Sequence, residues 1–323
     1  MEQNVGSEKS QQKLEEMMEY MNTQVMVEDR FEEVRDICRN KQEECVDWAS
    51  IGECEANAPY MITECAPACQ TCHLLIFEER CPWIPSNGTN IWKQPGDVDK
   101  MFRRLVSDDK YSVQVLSQPP EGPWVVTLDD FLSDEECDRL IALGGNEGYE
   151  KSMDVGEKQP DGTYASLESP DRTSTNAWCL GDCYTDEHTK AVLARIEDAT
   201  GIPDAYQEYL QMLKYTKDQF YGQHHDYIEH LADRAEGVRI VTVFLYLNDV
   251  EAGGGTNFPG LDLTVMPKKG RALIWPSVLD EDPNAKDDRT DHQALPVEKG
   301  VKFGANSWLH NRDFKEPYGR GCG

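Results

Sequence analysis

The sequence is short of positive charge. Its 32 Lys and Arg stand against 60 Asp and Glu, a net charge of −28 over 323 residues. A chain this acidic repels phosphate backbones and anionic bilayers, so nucleic acid and lipid headgroups are not expected as partners. The plain effect of such charge is solubility. No apolar run approaches the roughly 18 residues of a membrane span, so none is expected. The opening Met1-Glu2-Gln3-Asn4 is polar and no apolar signal core follows it. Any targeting signal or anchor is therefore expected outside this chain. There is no internal repeat and no low-complexity tract. Oligomeric state leaves no mark in the sequence.

What the chain does have is cysteine. It holds 11, six of them between Cys38 and Cys72. That density belongs to oxidising compartments, and the odd total leaves one thiol free or paired between chains. Asn87-Gly88-Thr89 is a glycosylation sequon, in keeping with the secretory pathway and the lumen of the endoplasmic reticulum. A segment as short as 38–72 cannot bury enough apolar surface to fold unaided, so cross-links are expected to hold it. A zinc site competes poorly, because the cluster contains no histidine and too many thiolates for one tetrahedral ion. Sequence alone leaves the pairing open.

The chain reads as four stretches. Residues 1–37 are a charged helical lead with apolar positions at Leu14, Met17, Met18, Met21, Val25 and Phe31, the spacing of an amphipathic helix or stalk. Residues 38–72 are the cysteine module. Residues 73–122 look like a connector with one short helix near Val98–Val106. Residues 123–320 have a different texture. A strand at Trp124–Leu128 precedes Ser133-Asp134-Glu135-Glu136, which matches a capping box opening a helix to Leu143. Another helix is predicted over Glu187–Ala199. Strands follow at Leu210–Tyr215, Arg239–Leu247, Leu263–Met266, Arg271–Trp275 and Val301–His310, separated by glycine-rich turns. Helices followed by many short strands predict an α+β domain, a jelly roll with supporting helices.

Chemistry concentrates at His224-His225-Asp226. Alternate residues of an extended chain share a side, so His224 and Asp226 can grip one metal while His225 faces away. A third ligand must come from afar. His292 fits best, before the strand-like Ala294–Val297; His230 and His310 remain alternatives. Two histidines and a carboxylate are the donor set of non-haem Fe(II) oxygenases. Lys302, between Val301 and Phe303, would point inward if those two pack outward, and would offer a cation to a dicarboxylate co-substrate.

The cysteine segment resembles the ShK-toxin-like (ShKT) domain through Cys45, Trp48, Gly52, Cys54, Asn57, Tyr60, Met61, Cys65, Cys69 and Cys72, with Cys38 first. The resemblance implies pairs Cys38–Cys72, Cys45–Cys65 and Cys54–Cys69, and a spacer or targeting role. The larger part resembles the catalytic domain of prolyl 4-hydroxylases. The motifs that carry this are Arg172-Thr173-Ser174, Tyr215, Tyr221 through Asp226, Arg239 through Thr242, Tyr246 through Val250, Gly253 through Thr256, Pro267 through Gly270, His292, Pro296-Val297, Gly300, Lys302 and Trp308 through His310, in order. It implies iron on His224, Asp226 and His292. It implies 2-oxoglutarate held by Lys302, Tyr215 and Thr256, with ascorbate as reductant. It implies a proline-rich peptide over Arg239, Trp308, His310 and Tyr221, covered by a closing loop at Ser166–Asp186 that Cys179 and Cys183 could staple. Lysine at 302, where related branches use arginine, points to the prolyl branch. The sequence departs from the family at Phe303, where tryptophan is usual, and at Asp218, where glycine is usual. Two other functions stay open: an oxygenase with another substrate, and an inactive disulfide-rich binding protein. Cys81 with Cys322 is the expected late pair.

Overall fold

The computed structural model describes residues 3–82, 90–158 and 164–322. The sequon at Asn87 lies outside them. The chain divides into two compact units: Met1–Pro85 with Glu157–Ala165 and Phe314–Gly323, and Ser86–Gly156 with Ser166–Asp313. Among the described residues, no helix is long and apolar enough to cross a membrane.

In the first unit a helix runs over Glu8–Tyr20, with the Ser7 hydroxyl accepting from the Ser10 amide at its start. The helical lead expected up to residue 37 does not continue. A π turn at Met21–Val25 ends it, and the chain folds back. Val25, Phe31 and Val34 are buried with Cys38, Cys72 and Leu75. Periodicity marks an apolar stripe but not what covers it; here burying Phe31 against the cross-linked segment outweighs continuing the helix into solvent. Leu14 and Met17 pack on a second cluster around Cys45, Val46, Met61 and Cys65. Disulfides join Cys38–Cys72, Cys45–Cys65 and Cys54–Cys69. A fourth, Cys81–Cys322, ties the chain's last residues to this unit. Arg80 adds a hydrogen bond to the Gly321 carbonyl, 3.0 Å.

Strands are numbered in chain order. β1 is Ser112–Ser117, β2 Val125–Asp129, β3 Glu150–Lys151, β4 Asp154–Lys158, β5 Tyr164–Leu167, β6 Thr175–Trp178, β7 Gln211–Tyr215 and β8 Tyr221–His224. β9 is Arg239–Tyr246, β10 Ala252–Gly253, β11 Thr256–Phe258, β12 Leu263–Val265, β13 Ala272–Pro276, β14 His292–Ala294, β15 Val297–Lys299 and β16 Lys302–His310. The second unit contains an antiparallel eight-stranded sheet in the order β1-β2-β13-β9-β16-β7-β6-β3 and a four-stranded one in the order β12-β11-β14-β8.

Alternation sorts the side chains. Along β13, Ala272 and Ile274 join the core shared with the helices, while Leu273 and Trp275 join the core shared with the small sheet. Along β9, Val243 and Leu245 take the first face; Phe244 and Tyr246 take the second. Helices Asp97–Val106, Asp134–Glu147 and Glu187–Thr200 cover the outer face. The capping box at Ser133 and Glu136 forms as predicted. The result is the α+β jelly roll with supporting helices.

Two expectations need correction. The stretch 73–122 is not a bare connector after its helix: β1 pairs with β2, and Val98, Met101, Phe102 and Leu105 are buried in the main core. The segment Ser166–Asp186 is not a free loop. Its centre is β6, hydrogen-bonded to β7, and Ser174 is fully buried. Short strands with mixed polar faces escape a period-2 reading, because one side of each faces a polar site.

Candidate active site

β8 and β14 are antiparallel neighbours with His224 opposite His292, so the small sheet itself brings the two histidines together across 68 residues of chain. Asp226 follows β8. One nitrogen from each ring and one carboxylate oxygen lie within 4.8 Å of one another. His292 and Asp226 are buried.

The rings are held in a set tautomer. His224 Nδ1 lies 2.8 Å from the Gly222 carbonyl and His292 Nδ1 lies 3.0 Å from the Thr290 carbonyl. A carbonyl only accepts, so both Nδ1 atoms carry the proton and both Nε2 atoms present a lone pair. The Thr242 hydroxyl donates to Asp226 Oδ2 at 2.6 Å, orienting that carboxylate. Burial, reinforced by His292, pushes the His224 ring well below its ordinary range. Burial opposes ionisation of Asp226, but the His292 and His224 rings outweigh it and hold the carboxyl down. Both shifts favour the forms that bind a cation. His225 is turned away, with Nε2 on the Asp287 carbonyl and Nδ1 accepting from the Tyr227 amide.

Beyond the triad the pocket continues between Leu213, Tyr215, Phe244, Thr256, Asn306 and Lys302. Phe303 packs into the outer core, so alternation turns Lys302 inward. It is 1% exposed, and its Nζ has no hydrogen-bond partner among the described residues. The rings of Phe244, Tyr215 and Tyr246 stand 5.0, 5.2 and 5.5 Å from it. Burial pulls its pKa down to about 7. Thr256 accepts from the Tyr246 hydroxyl at 2.7 Å.

Arg239, Trp308, His310 and Tyr221 do not form one surface. The Arg239 guanidinium lies over the Trp308 ring at 3.8 Å and is pinned by Glu208. Trp178, 39% exposed, stands 6.3 Å from Trp308. His310 is 0% exposed; its Nε2 meets Glu208 and its Nδ1 the Gly237 carbonyl. It therefore supports Glu208 and Arg239 from behind rather than facing a ligand. Tyr221 stacks on His224, ring centres 3.7 Å apart, under the Arg172 guanidinium. Arg172 reaches Gln211, which lies across from Asn306. Burial pushes Glu208 up, but Arg239 and His310 together hold it below its usual value.

Residues 210–310 match the 2OG-Fe(II) oxygenase superfamily, and residues 37–72 match the ShK domain-like family. Prolyl 4-hydroxylase 5 of Arabidopsis thaliana is 34% identical over 224 residues, covering 63% of this chain and 72% of that protein. The chain belongs to the prolyl 4-hydroxylase family. Prolyl 4-hydroxylase subunit alpha-2 of Gallus gallus is 32% identical over 205 residues, 62% of this chain and 37% of that subunit. The viral collagen prolyl hydroxylase of Paramecium Bursaria Chlorella virus-1, solved with 2OG, aligns at 25% identity with TM-score 0.45 over 59% of this chain and 97% of its own.

The family uses Fe(II) and 2-oxoglutarate. The pocket suits both: ligand atoms of two imidazoles and a carboxylate lie within 4.8 Å of one another, and beyond them lies the buried Lys302 amine, without a hydrogen-bond partner among the described residues. Sequence reasoning placed Trp178 in the closing segment but missed Glu208, Gln211 and the orienting role of Thr242. Thr242 was within reach, because it shares a face with Phe244 and Tyr246 two and four residues on. Glu208 and Gln211 had no signal, since their partners are about 30 to 100 residues away. Replacing Thr242 by valine should weaken metal binding by about 10- to 100-fold while the fold persists, as loss of a group orienting a metal ligand typically does. Iron titration by isothermal calorimetry under anaerobic conditions checks this.

Proposed function

We propose that this protein hydroxylates C4 of peptidyl proline in proline-rich chains, consuming 2-oxoglutarate and O2 and releasing succinate and CO2. The single observation that carries the reading is the pairing, in one pocket, of the His224–Asp226–His292 cluster with the buried Lys302 ammonium, which has no partner among the described residues. In this reading His224, Asp226 and His292 hold iron. Lys302 anchors the far carboxylate of 2-oxoglutarate, helped by the hydroxyls of Tyr215 and Thr256. Iron with 2-oxoglutarate supplies the oxidising chemistry at the substrate C–H bond.

The chain's own residues do the rest. Thr242 keeps Asp226 aimed, and the Gly222 and Thr290 carbonyls keep both imidazoles facing the metal. Phe244, Tyr215 and Tyr246 keep water from Lys302, which strengthens its attraction for a carboxylate. Trp178, exposed and backed by the buried Trp308 and by Arg239, offers an aromatic face suited to an extended proline-rich peptide, which loses little entropy on docking. Tyr221 stays a candidate peptide contact through its edge. Ascorbate is read as the reductant that keeps the iron ferrous. The catalytic part is read as residues 90–313, longer at its start than 123 because β1 and the helix Asp97–Val106 complete its core. The five disulfides support work in an oxidising compartment, read here as the lumen of the endoplasmic reticulum.

The test is succinate release from 2-oxoglutarate with Fe(II), ascorbate and a polyproline-type peptide, with mass spectrometry of the peptide. A gain of one oxygen per succinate on proline is expected. Turnover that ignores the peptide would sink the proline assignment and leave an oxygenase with another substrate.

A further inference from the structure

The first unit carries a recess that the catalytic reading does not use. It measures about 450 Å³ and is lined by Trp48, Ile51, Glu53, Asn57, Tyr60 and Met61. Met61 is buried and forms the floor. Trp48 and Tyr60 meet edge to face with ring centres 6.0 Å apart, which leaves a flat aromatic wall beside a second one. Ile51 is 72% exposed, a large apolar side chain held in water at the rim.

Polar groups at this rim are unspent. The Asn57 side chain caps no helix, although it stands at a helix start. The indole N–H of Trp48 makes no hydrogen bond among the described residues. Aromatic walls with free donors between them are how proteins hold polyproline II chains: the walls take proline rings, and the donors take the backbone carbonyls that no helix or sheet uses. Charge narrows the occupant further. Glu53 is the charged residue of the lining, and no lysine or arginine lines the recess. Such a rim repels acidic partners and attracts basic ones.

We propose that this recess is a second docking site for the substrate: it holds a proline-rich segment bearing lysine or arginine, remote in sequence from the proline being modified. The inference rests on the proline-rich substrate assigned above. A chain long enough to occupy both places binds the second as an intramolecular event, so the recess lowers KM for long substrates and leaves short ones untouched.

The experiment uses the full chain with Trp48→Ala and, separately, Ile51→Arg, an exposed position whose change spares the fold. KM and kcat are measured on a short proline peptide and on a long one flanked by lysines. Anisotropy of a labelled lysine-flanked decaproline reads binding directly. Both variants should raise KM for the long peptide and weaken anisotropy binding about tenfold, the scale of losing one aromatic anchor. The short peptide should turn over as in wild type. Unchanged binding and KM in both variants, or a loss in Trp48→Ala alone, overturns the proposal, as does equal affinity for a glutamate-flanked decaproline. If no peptide is turned over yet the decaproline binds wild type and neither variant, the recess stands and the catalytic assignment falls. If turnover proceeds and both variants bind normally, the reverse holds.

Discussion

Lys302→Met should abolish 2-oxoglutarate turnover while making the empty protein more stable. The ammonium is buried among Phe244, Tyr215 and Tyr246 with no partner among the described residues, so it has nothing to attract except an incoming carboxylate. Losing one member of a buried ion pair costs about 3–5 kcal/mol, or roughly 100- to 4,000-fold in co-substrate affinity. Calorimetric titration of 2-oxoglutarate and succinate release both read it. Arginine should not rescue, because a planar fork needs room that this ring-lined slot does not offer a compact ammonium's replacement.

The stability half has a definite sign. Burial lowers the folded-state pKa of Lys302 to about 7, while an unfolded lysine titrates near 10.4. Between those values the unfolded chain binds more protons, so this group adds stability as pH rises from 7 toward 10. Below pH 7 the fold must hold a buried charge. Without co-substrate, the thermal midpoint of wild type should therefore rise between pH 7 and pH 9 relative to Lys302→Met. Co-substrate binding should restore the charge and take up close to one proton at pH 8, visible as buffer-dependent heat. A pH-independent difference between the two proteins would contradict the assignment of Lys302 as an unpaired buried base.

The second large effect is on the metal. His292→Ala should reduce iron content to background and with it all succinate release, coupled or uncoupled. His292 stands opposite His224 in the sheet, and its removal leaves only two ligands, one a carboxylate that then lies buried beside a single imidazole. Asp226→Ala should do the same and leave the Thr242 hydroxyl without its acceptor. Metal analysis after anaerobic loading checks both. Iron retained at full occupancy in His292→Ala would return the third-ligand role to another group.

Much of this was legible in the chain. His224 and Asp226 lie two apart, and a period of two puts them on one side. Lys302 follows the same rule, because Phe303 and Ala305 fill the outer core while position 302 looks inward. Asp218 shows a departure with a visible cause. Its φ of +66° lies in the left-handed region, where glycine is the easy choice and aspartate is among the tolerated ones. His310 went astray because a strand residue two positions from Trp308 shares its direction only while the ladder is regular. A register shift between Leu309 and His310 breaks that rule and leaves His310 behind Glu208.

Local pattern by itself determined six of the strands, the capped helix at Ser133, the cross-linked module and the triad's first two members. Each follows from propensity or periodicity within about ten residues. Only the tertiary structure decided that His224 faces His292, that Thr242 and Glu208 serve the site, and that the lead folds back over Cys38–Cys72 instead of standing as a helix. Those outcomes depend on which surfaces bury each other. Burial is a property of strand order and register across the whole sheet, and no short window of sequence contains it.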